Sequence, residues 1–387
     1  MDRWHSARPD RTHLFAALCA GLSPRRHLLS VMKPSALALT LALVGVGCAQ
    51  PRSASPGLAA APVAPAPAAP DPNTLPANVV LATAPWTFES REGSVIETPS
   101  YRIMTTATRT ALVERVPAFM ELALNHYTSA LADLPRPNEH MECYILGTRP
   151  QWARMTQRVM GNDADMYLRI QRGGFSSGGR AILYDIGPRD TFAIAAHEGW
   201  HQYTQKTFRN SLPVTLEEGL ATYMEGFRWN PEQPERPIFL PWANVERYEQ
   251  LRQAERTGKL IPLDRLMRSK PQELMAEDPD SALIYYAQVW ALIHFLNEGE
   301  GGKYREGLRL LLTDAAHGRL VARVNHTLAS RGIPTRRGVD LLDIYLNRTA
   351  ASLDEEYQAF IRAVVQKNGG RGRIIRGASP LSESDLK

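Results

Sequence analysis

His197-Glu198-Gly199-Trp200-His201 carries the densest chemistry in this 387-residue chain. Two histidines four apart on a helix differ by about 40° in azimuth and about 6 Å in rise, so both imidazoles leave the same face. Neutral imidazoles placed this way can share one divalent metal ion, and zinc suits them. Glu198 lies one step round from His197, too far for a natural third ligand but well placed to touch a water on the ion's open position. The pentad thus offers two ligands and a general base from one rigid turn.

The flanking residues have to hold that turn. Asp190 or Thr191 can cap a helix whose apolar body is Phe192, Ile194, Ala195 and Ala196. Trp200 points away from the metal face, toward a core. Gly199 costs roughly 1 kcal/mol relative to alanine inside a helix, and its presence predicts another backbone passing close by. A catalytic site also needs a third protein ligand and an open fourth position. Asn210, Ser211 and Pro213 mark a turn, and Pro213 and Thr215 signal a second helix that can fold back antiparallel, with Glu218 in its first turn. From there Glu218 can reach the metal. Thr215-x-x-Glu218 equally fits a capping box, which needs no metal.

His197-Glu198-x-x-His201 followed by Glu218-Gly219-Leu220-Ala221 resembles the gluzincin branch of the zincin metallopeptidases. The likeness is nearest to the bacterial peptidase-MA-like families of largely unknown function, which carry a similar H-E-x-x-H-Q stretch, a proline-containing turn and an E-G-x-A-x-Y stretch. It covers about residues 173–296. The resemblance implies Zn2+ held by His197, His201 and Glu218, with Glu198 as general base. It also implies an α+β, zincin-like fold, in which an N-terminal mixed sheet with helices carries the active-site helix and a mainly helical subdomain follows. The reaction it implies is hydrolysis of peptide bonds in a peptide or protein substrate. Tyr286, or its neighbour Tyr285, would supply a phenol to the oxyanion, the alternative being a packed core tyrosine. Residues 175–184 are the candidate edge strand for an extended substrate, the alternative being a plain glycine-rich hairpin. Where some gluzincins have a carboxylate one turn beyond the third ligand, this chain has Thr222, which leaves Glu217 or Glu225 to orient a histidine. Two other functions stay open. One is a catalytically inactive zincin-like scaffold lipoprotein of the envelope, and the other is a hydrolase of a non-peptide envelope amide.

The start of the chain reads as an address. Residues 1–31 have no periodic pattern and are taken as a mis-assigned or upstream leader, with translation beginning at Met32. Residues 32–48 then form a signal peptide, with Lys33 before an apolar run at 36–46 that is too short to span a bilayer. Val46-Gly47-Cys48 resembles a bacterial lipobox, although Gly45 stands where leucine is usual; an ordinary cleaved signal is the alternative. Residues 49–77 are an Ala/Pro-rich tether. Ala49-Gln50 lacks the aspartate of inner-membrane retention, so a bacterial outer-membrane lipoprotein or a periplasmic protein is expected. Its membrane contact would be only through a lipid on Cys48.

The formal charge of +5 overstates the basicity of what remains. Residues 1–31 hold five arginines against two aspartates and take +3 with them, leaving +2, which is no footprint for nucleic acid. The cysteines are Cys19, Cys48 and Cys143, too few for a disulfide framework, and Cys143 alternates with Met141 and Ile145 as a buried thiol would. Residues 78–226 read as an α/β subdomain, with strands at 86–90, 94–98, 101–105, 141–146 and 180–186 and helices at 111–134 and 150–160. The glycines of 173–179 are followed by no Gly-Lys-Ser/Thr, which excludes a phosphate loop. Residues 227–367 read as a helical subdomain: 231–241 is an irregular loop, then helices run at 244–257, 281–296, 304–312, 341–346 and 353–365. Residues 368–387, rich in Gly and Arg, read as a disordered tail. Oligomeric state leaves no trace in the sequence.

Overall fold

The computed structural model describes residues 12–13, 75 and 78–381, apart from 171, 272, 275–278 and 332–340. The signal peptide, its Cys48 and most of the leader and tether lie outside the described residues. Alternation of apolar and polar residues builds the front half. Strands β1 (Ala82–Phe88), β2 (Arg91–Glu97) and β3 (Tyr101–Thr105) form an antiparallel meander. After helix α1 (Thr110–Ser129) the chain returns as β4 (Met141–Leu146), parallel to β3. Helix α2 (Arg149–Met160) is capped by the Thr148 hydroxyl, and a short α3 (Ala164–Leu168) follows.

A hairpin then closes the sheet. In it β5 (Gly174–Ser177) pairs antiparallel with β6 (Arg180–Tyr184), which is parallel to β4. Gly178 and Gly179 make the two-residue turn with positive φ of 58° and 73°, as the tightest hairpins require. The result is a six-stranded mixed sheet in the order β5-β6-β4-β3-β2-β1. Beyond β5, Thr12 and His13 pair with Ser177 and Ser176. The glycine-rich stretch is therefore a hairpin, and its outer strand β5 is bordered by those two residues at Ser177 and Ser176. Gly174 is where it comes close to the rest, since a Cβ there would lie 2.8 Å from Leu183 Cβ.

The sheet is covered by α1 and by α4 (Pro188–Thr207), buried almost continuously from Thr191 to Thr204. Helix α5 (Val214–Met224) folds back on α4. Within the segment expected to be an irregular loop, 231–241, Pro237–Phe239 instead forms strand β8, which pairs antiparallel with β7 (Phe227–Trp229). Rings of both strands pack onto Phe119 of α1, which the sequence pattern could not show.

The back half is helical. It comprises α6 (Val245–Arg256), α7 (Leu263–Arg268), α8 (Pro279–Glu298), α9 (Arg305–His317), α10 (Leu320–Ser330), α11 (Leu341–Leu346) and α12 (Ala350–Gln366). One core runs through both halves, containing Trp200 and Leu216 as well as Trp290, Phe295 and Ile361. Residues 370–375, expected to be unstructured, form α13 (Gly370–Ile375). Ile374 and Leu381 are buried and Arg371 bonds Glu249 at 2.7 Å, so composition misjudged what neighbours could hold. Among the described residues no helix is long and apolar enough to cross a membrane.

Candidate metal centre

Helix α4 starts three to four residues earlier than a cap at Asp190 or Thr191 would place it. Gly187 is the cap residue and Pro188 the first helical position, which suits proline because no N–H is needed there. The Thr191 hydroxyl instead accepts from Ile186 N–H at 2.9 Å, and Asp190 pairs with Arg172. Two turns further on, His197, Glu198 and His201 are buried to within 1% of full occlusion. Trp200 packs on Tyr127, Tyr203 and Phe208, away from the histidine face as expected. Gly199 faces the Tyr127 side chain rather than a neighbouring backbone.

Helix α5 brings the third carboxylate. The Thr215 hydroxyl does not cap this helix; it donates to the carbonyls of Leu266 (3.2 Å) and Met267 (3.3 Å). Glu218 is thereby free of the capping role and turns to the histidines. Its Oε2 lies 3.4 Å from His197 Nε2 and 3.6 Å from His201 Nε2, and the two Nε2 atoms are 3.1 Å apart. Gly219, the next residue, lets α8 approach, since a Cβ there would meet the Val289 carbonyl at 2.8 Å.

The outer hydrogen bonds fix the histidine tautomers. His197 Nδ1 is 2.9 Å from Glu225 Oε1, and His201 Nδ1 is 3.1 Å from Glu217 Oε1. An ionised carboxylate can only accept, so each Nδ1 carries a proton, and Nε2 is the nitrogen that presents a lone pair once the ring is neutral. Two lone pairs and a carboxylate oxygen then converge with no donor between them, an arrangement that a cation resolves. Ligands about 2.0–2.2 Å from a tetrahedral ion stand about 3.3–3.6 Å apart, close to the separations seen here. His197, His201 and Glu218 could therefore hold one metal ion, and they alone form such a cluster among the described residues.

Charge makes the same point. Glu198, Glu217, Glu218 and Glu225 are all interior, and the buried cation beside them is Arg247. Burial opposes ionisation of Glu218, yet His201 and His197 outweigh it and bring its pKa down to about 2. Burial likewise opposes charge on Glu225, and Arg247 outweighs it, again to about 2. For His201, burial works against the charged ring, but Glu218 and Glu217 hold it well above its usual range. Glu198 moves the other way, raised because burial outweighs the nearby histidines. Neither of its carboxylate oxygens has a hydrogen-bond partner among the described residues.

The second carboxylate layer was only partly legible. The sequence offers Glu217 or Glu225 to orient a histidine, whereas in the fold each orients its own. Arg247 and Asn244, which hold Glu225, carry no local signal, since only the docking of α6 brings them near. Tyr286 is buried with the Arg247 guanidinium over its ring at 5.3 Å. Tyr285 is the tyrosine whose hydroxyl responds to the ligands, pushed up by burial and then by the Glu218 charge. Cys143 is a buried free thiol raised to about 12, chiefly by burial, as befits an inert core residue.

Strand β5 is stitched to the motif helix. The Ser176 hydroxyl donates to the Glu198 carbonyl at 2.7 Å, and Gln202 Nε2 donates to the carbonyls of Glu142 and Gly179. A Cβ on Gly174 would lie 3.3 Å from Glu198 Cγ, so β5 runs directly alongside the carboxylate. Two clefts, of about 280 and 570 Å3, lie instead around the starts of α4 and α6, and Glu225 lines the smaller of them. The chain matches no known family model, no curated protein and no solved structure.

Proposed function

We propose that the protein is a zinc-dependent peptidase of gluzincin type, with zinc held by His197, His201 and Glu218. The observation that carries this reading is Glu198, a buried carboxylate with no partner on either oxygen beside the ligand triangle. Leaving a buried polar group unpaired costs about 1–3 kcal/mol, and more when it is charged. A purely structural metal site has no use for such a group, whereas a general base has. Zinc, when bound, polarises a carbonyl and makes a water more acidic. Glu198 takes the proton of the attacking water and passes it to the leaving amine. That task needs a pKa above that of a free glutamate, the direction in which burial moves this one. Glu217 and Glu225 keep both rings in the orientation the ligands need.

In this reading an extended peptide pairs with β5 at Gly174 and Phe175, the positions that Thr12 and His13 leave open beside Glu198, so backbone hydrogen bonds give affinity with little sequence selectivity. A phenol for the oxyanion comes from the Tyr285–Tyr286 pair, and Tyr285 has the electrostatic link to Glu218. Export through the signal at 32–48, with a lipid on Cys48, would hold the enzyme at the cell envelope on the tether of 49–77.

The depth of the site favours a second reading, an envelope scaffold that keeps the metal as a structural element, since every candidate ligand is at most 1% exposed. Glu198→Gln in the exported protein separates the two. Hydrolysis of a peptide library by the native protein, lost in the variant while metal content stays the same, supports the peptidase. A metal-loaded native protein that cleaves no peptide would overturn it.

A further inference from the structure

Glu225 sits between the metal centre and the helical half of the protein, and its carboxylate is fully committed. Oε1 receives His197 Nδ1–H at 2.9 Å and Arg247 Nη2–H at 3.1 Å, while Oε2 receives Asn244 Nδ2–H at 2.8 Å and Arg247 Nε–H at 3.3 Å. Arg247 thus grips it through both of the nitrogens on one side of its planar fork. The remaining nitrogen, Nη1, donates to Gln250 at 3.2 Å. A guanidinium held this way fixes the carboxylate plane as well as its charge, which a lysine ammonium could not do.

Arg247 is 5% exposed and lies one turn into α6, the helix that Asn244 caps through Arg247 N–H at 3.2 Å. Helix α6 packs on α8 and α12 through Tyr248, Leu251 and Ala254. Its counterpart at the other histidine differs. There Glu217 Oε1 receives His201 Nδ1–H and the Thr204 hydroxyl at 2.6 Å, both from α4 itself. One ligand is therefore oriented from within the α4–α5 pair and the other from a later helix.

We propose that Arg247 is a positioning residue of the metal centre, acting through Glu225 on His197, so that the centre is completed only when α6 is docked. This rests on the reading of His197, His201 and Glu218 as metal ligands. Without Arg247 the Glu225 carboxylate is free to turn away, and His197 loses the acceptor that fixes its orientation. The loss is then felt in metal affinity.

The test is zinc affinity by competition with a chromophoric chelator, with the cobalt(II) absorption spectrum as a second readout, on native protein, Arg247→Gln, Glu225→Gln and the double variant. Arg247→Gln is expected to weaken zinc binding by about 10–100-fold and to alter the cobalt spectrum. In the Glu225→Gln background the same change is expected to cost at most about threefold, because the two residues act in series. Equal losses in both backgrounds, or native-like affinity in Arg247→Gln, would overturn the proposal. If Arg247→Gln does not fold, Arg247→Lys takes its place in the same cycle, keeping the charge and losing the fork. A native protein that takes up no zinc or cobalt would overturn the metal reading itself, whereas normal uptake by Arg247→Gln overturns only this one.

Discussion

The hydroxyl of Tyr127 stands where a side chain on Gly199 would begin. An ideal Cβ at Gly199 would lie 2.6 Å from Tyr127 Oη, and that hydroxyl donates to the Ala196 carbonyl at 2.7 Å. The glycine inside the pentad is therefore a packing requirement of α1 against α4. Gly199→Ala gains roughly 1 kcal/mol of helix propensity but overpacks the contact by about 1–3 kcal/mol. A lower melting temperature is expected, largely restored by adding Tyr127→Phe, which removes the offending oxygen. If the single alanine variant melts at or above the native temperature, the contact is not what selects glycine.

Glu218→Ala removes one of three converging donors. Elemental analysis of the native protein is expected to give about one zinc per chain, falling to near background in the variant. Equal metal in both would mean that Glu218 is not a ligand.

Glu198→Gln keeps the shape and removes the charge. Loss of a general base typically costs about 10²–10⁴-fold in rate, so kcat should fall that far while metal content holds. The same variant should melt no lower than the native protein, because burial of the charge it removes outweighs the attraction of the nearby histidines. A clear drop in melting temperature would show that Glu198 has a structural partner after all.

Glu217→Ala deprives both His201 Nδ1 and the Thr204 hydroxyl of their acceptor. Zinc affinity is expected to fall by about 10–100-fold. In the native protein affinity should also fall as pH drops, since the ligands bind only when deprotonated. Titrations at several pH values with a competing chelator check both.

Asp314 provides an acid-stability test far from the metal. It is buried, bonded by Arg319, Arg323 and Tyr345, and although burial opposes it, those donors hold its pKa below 3.8. A carboxylate depressed in the folded state contributes stability above its unfolded pKa and loses it as pH falls through the folded one. Asp314→Asn should therefore melt a few degrees lower at neutral pH, with the difference shrinking below pH 3.8. A constant difference across that range would assign the effect to packing.

The motif helices were legible because their signals are local: histidine spacing, a proline-marked turn and apolar residues around Trp200. Whether Glu218 served a cap or a metal was not legible, for it turns on where the Thr215 hydroxyl goes. It goes to Leu266 and Met267, residues about fifty positions later. Strand β5 was legible only as one of two alternatives at 175–184, because its glycines suit a loop as well as a strand that Leu183 and Glu198 leave no room to decorate at Gly174. The partnership of Glu225 with Arg247 depends on how α6 docks, and no spacing rule reaches that far.

The occlusion of His197, His201 and Glu218 bears on the rate at which an ion is exchanged, apart from how tightly it is held. A chelator cannot reach donors that are at most 1% exposed, so an ion seated there leaves only during a transient opening of the helices above it. Raising the chelator concentration would change how much metal is finally lost but, past a low threshold, not how fast. Stripping would then follow a single exponential whose rate constant measures the protein's own breathing.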